Sequence, residues 1–259
     1  MYIRTVKFRQ NWIFDVFINA TNPVRKGFSL AFLLFPLFCE AQRTKPIHVL
    51  MLGDSHMVGY FGEHLQRYLH QKGAFHILSV AIGGAGSYTF AAPVLKNTCC
   101  GYRIRRTWAD DSIGYNSPIR VVSGALRANH MAIGNSWNKN LDSLLQYWQP
   151  DLIVVELGNN RIDNHAGLIQ KIRAVRPHSP IYWIGPFLRP GLAQRVAGIQ
   201  KALKQDNNAL LIPAWDLAGH DTLASFHMPS AKARKASERL ASRICDTLHV
   251  RQKDWFFSY

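Results

Sequence analysis

The sequence predicts an α/β fold: a flavodoxin-like, doubly wound domain built on a five-stranded, mostly parallel sheet with helices on both faces. Three observations predict it. Near-continuous apolar runs of strand length recur along the chain, most clearly "DLIVVEL" at 151–157, as strands buried on both faces require. Other segments carry apolar residues at helical spacing. The two kinds of segment alternate, and that alternation builds parallel strands joined by crossover helices.

The elements follow in order. Residues 47–54 form the first strand, with Ile47, Val49, Leu50, Met51 and Leu52 in close succession. From His56 to Gln71, Met57, Tyr60, Phe61, Leu65, Tyr68 and Leu69 mark a helix. "FHILSVAI" (75–82) is the second strand and runs into Gly83-Gly84, and "LDSLLQYW" (141–148) is a helix that stops before Pro150. After the strand at 151–157 come a helix at 165–175, a strand at 180–187, a helix near 191–205 and a strand at 209–215. The last helix spans about Ser230 to Leu248, and residues 251–259 are a tail. Residues 91–137 break the pattern. They are rich in turn residues and carry Lys96, Arg103, Arg105, Arg106, Arg120 and Arg127 against Asp110 and Asp111, so a long inserted loop, functional or disordered, is expected there.

The N-terminal 46 residues differ from the domain at 47–250. Arg25-Lys26, an apolar run from Phe28 to Phe38 and the exit Cys39-Glu40-Ala41 have the order of a secretory signal peptide. The run is shorter than the about 20 residues that span a bilayer. Cleavage near Ala41 would make the protein periplasmic or secreted, and bacterial; a retained anchor in the inner membrane is the competing reading. Removing residues 1–41 takes away five basic and two acidic residues from a net charge of +15 and leaves +12. The domain itself is therefore basic and suited to an anionic envelope polymer. Export argues against nucleic acid as a partner. Cys99, Cys100 and Cys245 would remain, and Cys245 can pair with either of the others.

Ligands in such sheets bind beyond the carboxyl ends of the strands. Ser55, Gly84 and Asn160 each follow a predicted strand and share that rim. A serine at a strand-to-helix turn offers a hydroxyl beside N–H groups where negative charge is favoured. It needs a base to become a nucleophile and fixed donors for the oxyanion. His227, just before the Pro-Ser start of the last helix, is the candidate base. Metal and nucleotide motifs are missing, so no cofactor is expected.

In these four blocks, Gly53-Asp54-Ser55, the glycine after the second strand, Gly158-x-Asn160 and His227, the chain resembles the SGNH (GDSL-type) hydrolase family. The resemblance covers about residues 47–249 and implies the SGNH hydrolase fold. It implies Ser55 as nucleophile and His227 as base, with the Ser55 N–H, the Gly84 N–H and the Asn160 side chain as the oxyanion hole. Gly83 and Gly86 are alternatives to Gly84. Two positions depart from the family pattern. Ala224 stands where an aspartate usually precedes the histidine by three residues, which leaves Asp221, Asp216 or a backbone carbonyl to orient His227; Arg161 follows Asn160 where aspartate is common.

The expected activity is that of an exported serine esterase acting on an acylated small molecule or carbohydrate through an acyl-enzyme. Arg103, Arg105 and Trp108 in the basic segment are candidate substrate contacts, with Trp108 stacking on a sugar ring. A polysaccharide O-acyltransferase of the same fold and a catalytically impaired carbohydrate-binding module are the rival readings.

Overall fold

Neighbouring strands pair in the order β4-β3-β2-β1-β5-β6-β7, a seven-stranded sheet. A computed structural model describes residues 45–95, 101–111, 120–124, 140–160, 164–187, 191–217 and 230–256. The strands are β1 (Ile47–Gly53), β2 (Phe75–Ile82), β3 (Tyr102–Thr107), β4 (Arg120–Gly124), β5 (Leu152–Glu156), β6 (Ile181–Ile184) and β7 (Ala209–Ile212). The helices are α1 (Ser55–Val58), α2 (Tyr60–Lys72), α3 (Ser87–Ala91), α4 (Leu141–Trp148), α5 (His165–Val175), α6 (Leu192–Leu203) and α7 (Ser230–Phe256).

The five strands expected from the apolar runs form the parallel block β2-β1-β5-β6-β7. Side-chain alternation divides each strand between two cores. Leu50, Leu52, Leu78, Val80, Ile153, Val155 and Trp183 point toward α4, α5 and α6. Val49, Met51, Ile77, Val154, Tyr182 and Ile184 point toward α1, α2 and α7. Helices on both faces make the sheet doubly wound, as the sequence predicts.

Two features differ from the sequence expectation. The segment at 91–137 is not wholly loop: it contains β3 and β4, which extend the sheet in antiparallel pairing beyond β2. "YRIRRT" escapes an apolar-run search because one of its faces is polar yet buried. Tyr102 and Ile104 join one core, whereas Arg105 and Thr107 turn to the other and are fully buried. The helix expected at 56–71 is also broken at Gly59, which leaves α1 as a separate turn before α2.

Chain order reverses at β1: β2 lies on one side of it and β5 on the other. The register sets Gly53 level with Ala81 and with Glu156, so three strands end in one row. The loops after them open the crevice where sheets of this kind bind ligands.

Candidate active site

The turn after β1 is short and tightly held. Asp54 caps α1, accepting a hydrogen bond from the His56 N–H at 2.9 Å, so the aspartate and not the serine satisfies the helix start. Ser55 is then the first helical residue, half-buried, and its hydroxyl is hydrogen bonded to no described residue. Gly53 is required by close approach: a Cβ there would stand 2.1 Å from the Met57 Cγ. The other end of α1 is tied by Arg105. Its Nη1 donates to the Met57 carbonyl at 2.6 Å, and its Nη2 donates to those of Val58 at 2.6 Å and Gly59 at 3.2 Å. The Met57 and Val58 carbonyls are ones a helix end leaves unpaired, whereas that of Gly59 also accepts from the Glu63 N–H at 3.5 Å.

The loop after β2 selects among its glycines. The Gly83 N–H donates to the Gly101 carbonyl at 2.8 Å, and the Gly86 N–H to the Thr89 hydroxyl at 3.2 Å. The Gly84 N–H has no partner among the described residues, and Gly84 has φ 73°, a left-handed backbone that favours glycine. Of the three candidates, Gly84 alone has an N–H that no described residue takes. Next in the chain, the Ser87 hydroxyl is hydrogen bonded to His165 Nδ1 at 2.7 Å, joining α3 to α5. Burial pushes the His165 imidazole down to about 4.

The loop after β5 connects the other two. The Asn160 Nδ2 donates to the Ala85 carbonyl at 2.7 Å and, more weakly, to Asp54 Oδ2 at 3.3 Å. One amide thus bridges the residue before Ser55 and the residue after Gly84. Asn159 locks the loop from beneath: its Nδ2 donates to Glu156 Oε1 at 2.6 Å and to Asp54 Oδ2 at 3.2 Å, while its Oδ1 accepts from the Phe187 N–H at 3.0 Å. Arg195 on α6 donates to the carbonyls of Gly158 at 2.9 Å and Asn160 at 2.5 Å. Glu156 is fully buried, and burial together with the neighbouring Asp54 raises its carboxyl well above the usual range.

Ser55, Gly84 and Asn160 are therefore brought to one rim. His227 and Asp221 lie outside the described residues. Asp216 is engaged elsewhere: its carboxylate accepts from Arg243 Nη2 at 2.6 Å and Nη1 at 3.1 Å, and those bonds hold it below its ordinary value. Cys245 is buried in the α7 core and burial raises its thiol pKa; Cys99 and Cys100 lie outside the described residues.

Two of the substrate contacts expected from sequence are placed otherwise. Arg105 is fully buried and its guanidinium is committed to the end of α1, so it frames the site in place of touching a ligand. Trp108 lies at the opposite end of the sheet. β3 runs antiparallel to β2 with Thr107 opposite Ile77, which carries Trp108 away from the rim and against His76 and Trp148. Arg103 is half-buried and level with Ala81, nearer the rim. Exposed aromatics on helices leaving the rim are Tyr60 and Tyr88.

Sequence reading missed Glu156, Asn159 and Arg195, and it gave Arg105 a different role. One signal was available: a glutamate inside the apolar run "LIVVEL" is a carboxylate placed where few occur unpaired. The arginines had none, because their partners are carbonyls distant in sequence.

No family model matches the sequence, and no curated protein matches it. Solved structures do. The chain is similar to a Clostridium thermocellum family 3 carbohydrate esterase at 14% identity, covering 80% of this chain and 98% of that one with a TM-score of 0.46. It is similar to a carbohydrate acetylesterase from Sinorhizobium meliloti at 13% identity, covering 78% and 100% with a TM-score of 0.47. A third is the M. smegmatis aryl esterase, at 12% identity, 77% and 99% coverage and a TM-score of 0.46. All three are esterases.

Proposed function

We propose that the protein is a serine esterase that acts through an acyl-enzyme on Ser55. The observation that carries this reading is the Asn160 amide, which spans Asp54 and Ala85 and so ties together the turns that carry Ser55 and Gly84, whose hydroxyl and N–H have no hydrogen-bond partner among the described residues. Ser55 Oγ attacks the ester carbonyl carbon and its proton passes to His227. The oxyanion is held by the N–H groups of Ser55 and Gly84 and by the Asn160 amide, whose long bond to Asp54 is the one exchanged. Collapse expels the alcohol, which takes the proton from His227; water then repeats the sequence and releases the acid. His227 is assigned on its place in the sequence, before α7. Export and an acylated, anionic envelope polysaccharide as substrate are supported by the N-terminal sequence and the basic charge of the domain.

The test is labelling of the purified protein by a fluorophosphonate probe, with Ser55→Ala and His227→Ala alongside. Labelling should vanish in the first and fall at least about 10²-fold in the second. Equal labelling of all three proteins rules the reading out. Acetate release from acetylated glycans, compared with transfer to a sugar acceptor, separates hydrolysis from acyl transfer.

A further inference from the structure

Beneath the rim two carboxyl groups, Asp54 and Glu156, lie fully buried and share one amide. Among the described residues no lysine or arginine is hydrogen bonded to either. Their donors are distributed unequally. Asp54 accepts from the His56 N–H, from Asn159 and from Asn160, three N–H groups that suit a carboxylate. Glu156 accepts from Asn159 at Oε1 and feels the Asp54 backbone N–H, but among the described residues its Oε2 is buried with no hydrogen-bond partner. As an ionised oxygen Oε2 would be an unsolvated charge next to another carboxylate; as a hydroxyl it has Asp54 to donate to.

We infer that Asp54 and Glu156 retain one proton between them at neutral pH, resident on Glu156 Oε2, and that Glu156 is thereby a positioning residue for the oxyanion site. The assignment of the oxyanion site rests on the esterase reading; the placing of the proton does not. With that proton in place, the single charge of Asp54 is divided among four donors. Its hold on the second Asn160 N–H is weak, as the 3.3 Å separation records against 2.7 Å to Ala85, and that N–H can turn to a forming oxyanion. Without the proton, two negative charges would sit directly under the place where a third must develop, and the Asn160 amide would be drawn down to them. The group most strongly felt by Glu156 is Asp54, on the turn after β1. Among the described residues no other charged group acts on it, and its register partners, Gly53 on β1 and Ile184 on β6, carry no titratable side chain.

The decisive variant is Glu156→Gln, which keeps an N–H donor toward Asp54 and a carbonyl acceptor toward Asn159 but cannot ionise. Infrared difference spectroscopy of the full chain at neutral pH should show the C=O stretch of a protonated carboxylic acid in the wild type and its loss in E156Q. The folded wild type binds a proton that the unfolded chain has released, so its stability must fall as the pH rises above the ordinary carboxyl value. The melting temperature of E156Q should therefore gain on the wild type as the pH rises above the ordinary carboxyl range. Scaled to its own neutral value, the labelling rate of E156Q should lack an alkaline loss that the wild type shows. An acid band missing from the wild type, a band that survives in E156Q, or stability curves that run parallel overturns the inference. Should E156Q not fold, Asp54→Asn serves instead: removing the anionic partner must move the wild-type band's titration to lower pH, and an unmoved titration is equally fatal. If the band and the stability curves behave as stated but nothing labels Ser55, the proton stands and the esterase reading falls.

Discussion

Replacing Arg105 by methionine removes the clamp at the end of α1 while keeping a long apolar stem in the core. The guanidinium serves three carbonyls, of which that of Met57 is buried and those of Val58 and Gly59 are part-buried. Stranding a buried acceptor costs about 1–3 kcal/mol, and a part-buried one that regains some water costs less. Against this, the variant is relieved of burying a cation, a cost visible in the Arg105 pKa being lowered to about 10 by burial. The expected net loss is about 2–4 kcal/mol, a large share of a stability on the order of 5–15 kcal/mol. Lysine should recover part of it, because one ammonium cannot span two carbonyls as a planar fork does.

Ser55 opens the same helical turn, so the consequence should reach the chemistry as well. A displacement of about 1 Å at a reacting atom is able to cost about 10²-fold in rate. Urea denaturation gives the stability change from the midpoint at unchanged slope. Fluorophosphonate labelling, measured where each variant is fully folded, gives the rate. R105M should lose labelling far beyond its unfolded fraction, with R105K between it and the wild type. A stability loss below about 1 kcal/mol together with wild-type labelling would mean that α1 keeps its shape unaided, and the framing role of Arg105 would be wrong.

Two further outcomes follow from the same rim. Gly84→Ala places a Cβ on a left-handed backbone, which should cost about 1–2 kcal/mol in denaturant and slow labelling by turning the free N–H away, whereas alanine at Gly86, where φ is −124° in the extended range, should do far less. The His165 imidazole is held neutral down to about 4 in the folded chain but takes up a proton near 6.5 when unfolded, so its contribution is complete above pH 6.5 and drains away as the pH falls toward 4. That window corresponds to about 3 kcal/mol, and the melting temperature of His165→Asn should be correspondingly flatter across it; identical acid slopes in the two proteins would refute the assignment.

How much of this was legible in the sequence depends on what each residue answers to. The parallel block and its two helical layers were readable because burial on both faces forces apolar runs, and "HVLML", "HILSVAI" and "LIVVEL" carry them openly. Ser55, Gly84 and Asn160 were readable as the first residues past those runs. β3 was not, because its inward face is Arg105 and Thr107, whose burial is permitted only by partners on α1 and α2 some 40 residues away: the Met57 carbonyl and the Gln66 amide. A local pattern cannot report a debt settled that far along the chain. Trp108 misled for a related reason: an aromatic beside arginines reads as a binding surface, but the antiparallel turn of β3 reverses which end of the sheet it occupies.

Several polar residues within the fold lead to the same place. Arg105 ends on the carbonyls of α1, Arg195 on those of the Asn160 loop, and Asn159 on the carboxyls below both. Each is a costly group to bury, and apolar packing would hold the sheet together more cheaply than any of them. What apolar contacts do not supply is direction. A hydroxyl, a backbone N–H and a side-chain amide from three separate loops must face one point within a fraction of an ångström, and hydrogen bonds to fixed partners impose that where dispersion does not. The concentration of buried polar groups beneath Ser55, in a domain whose remaining interior is largely hydrocarbon, is what a site that develops charge requires and what a passive binding surface does not.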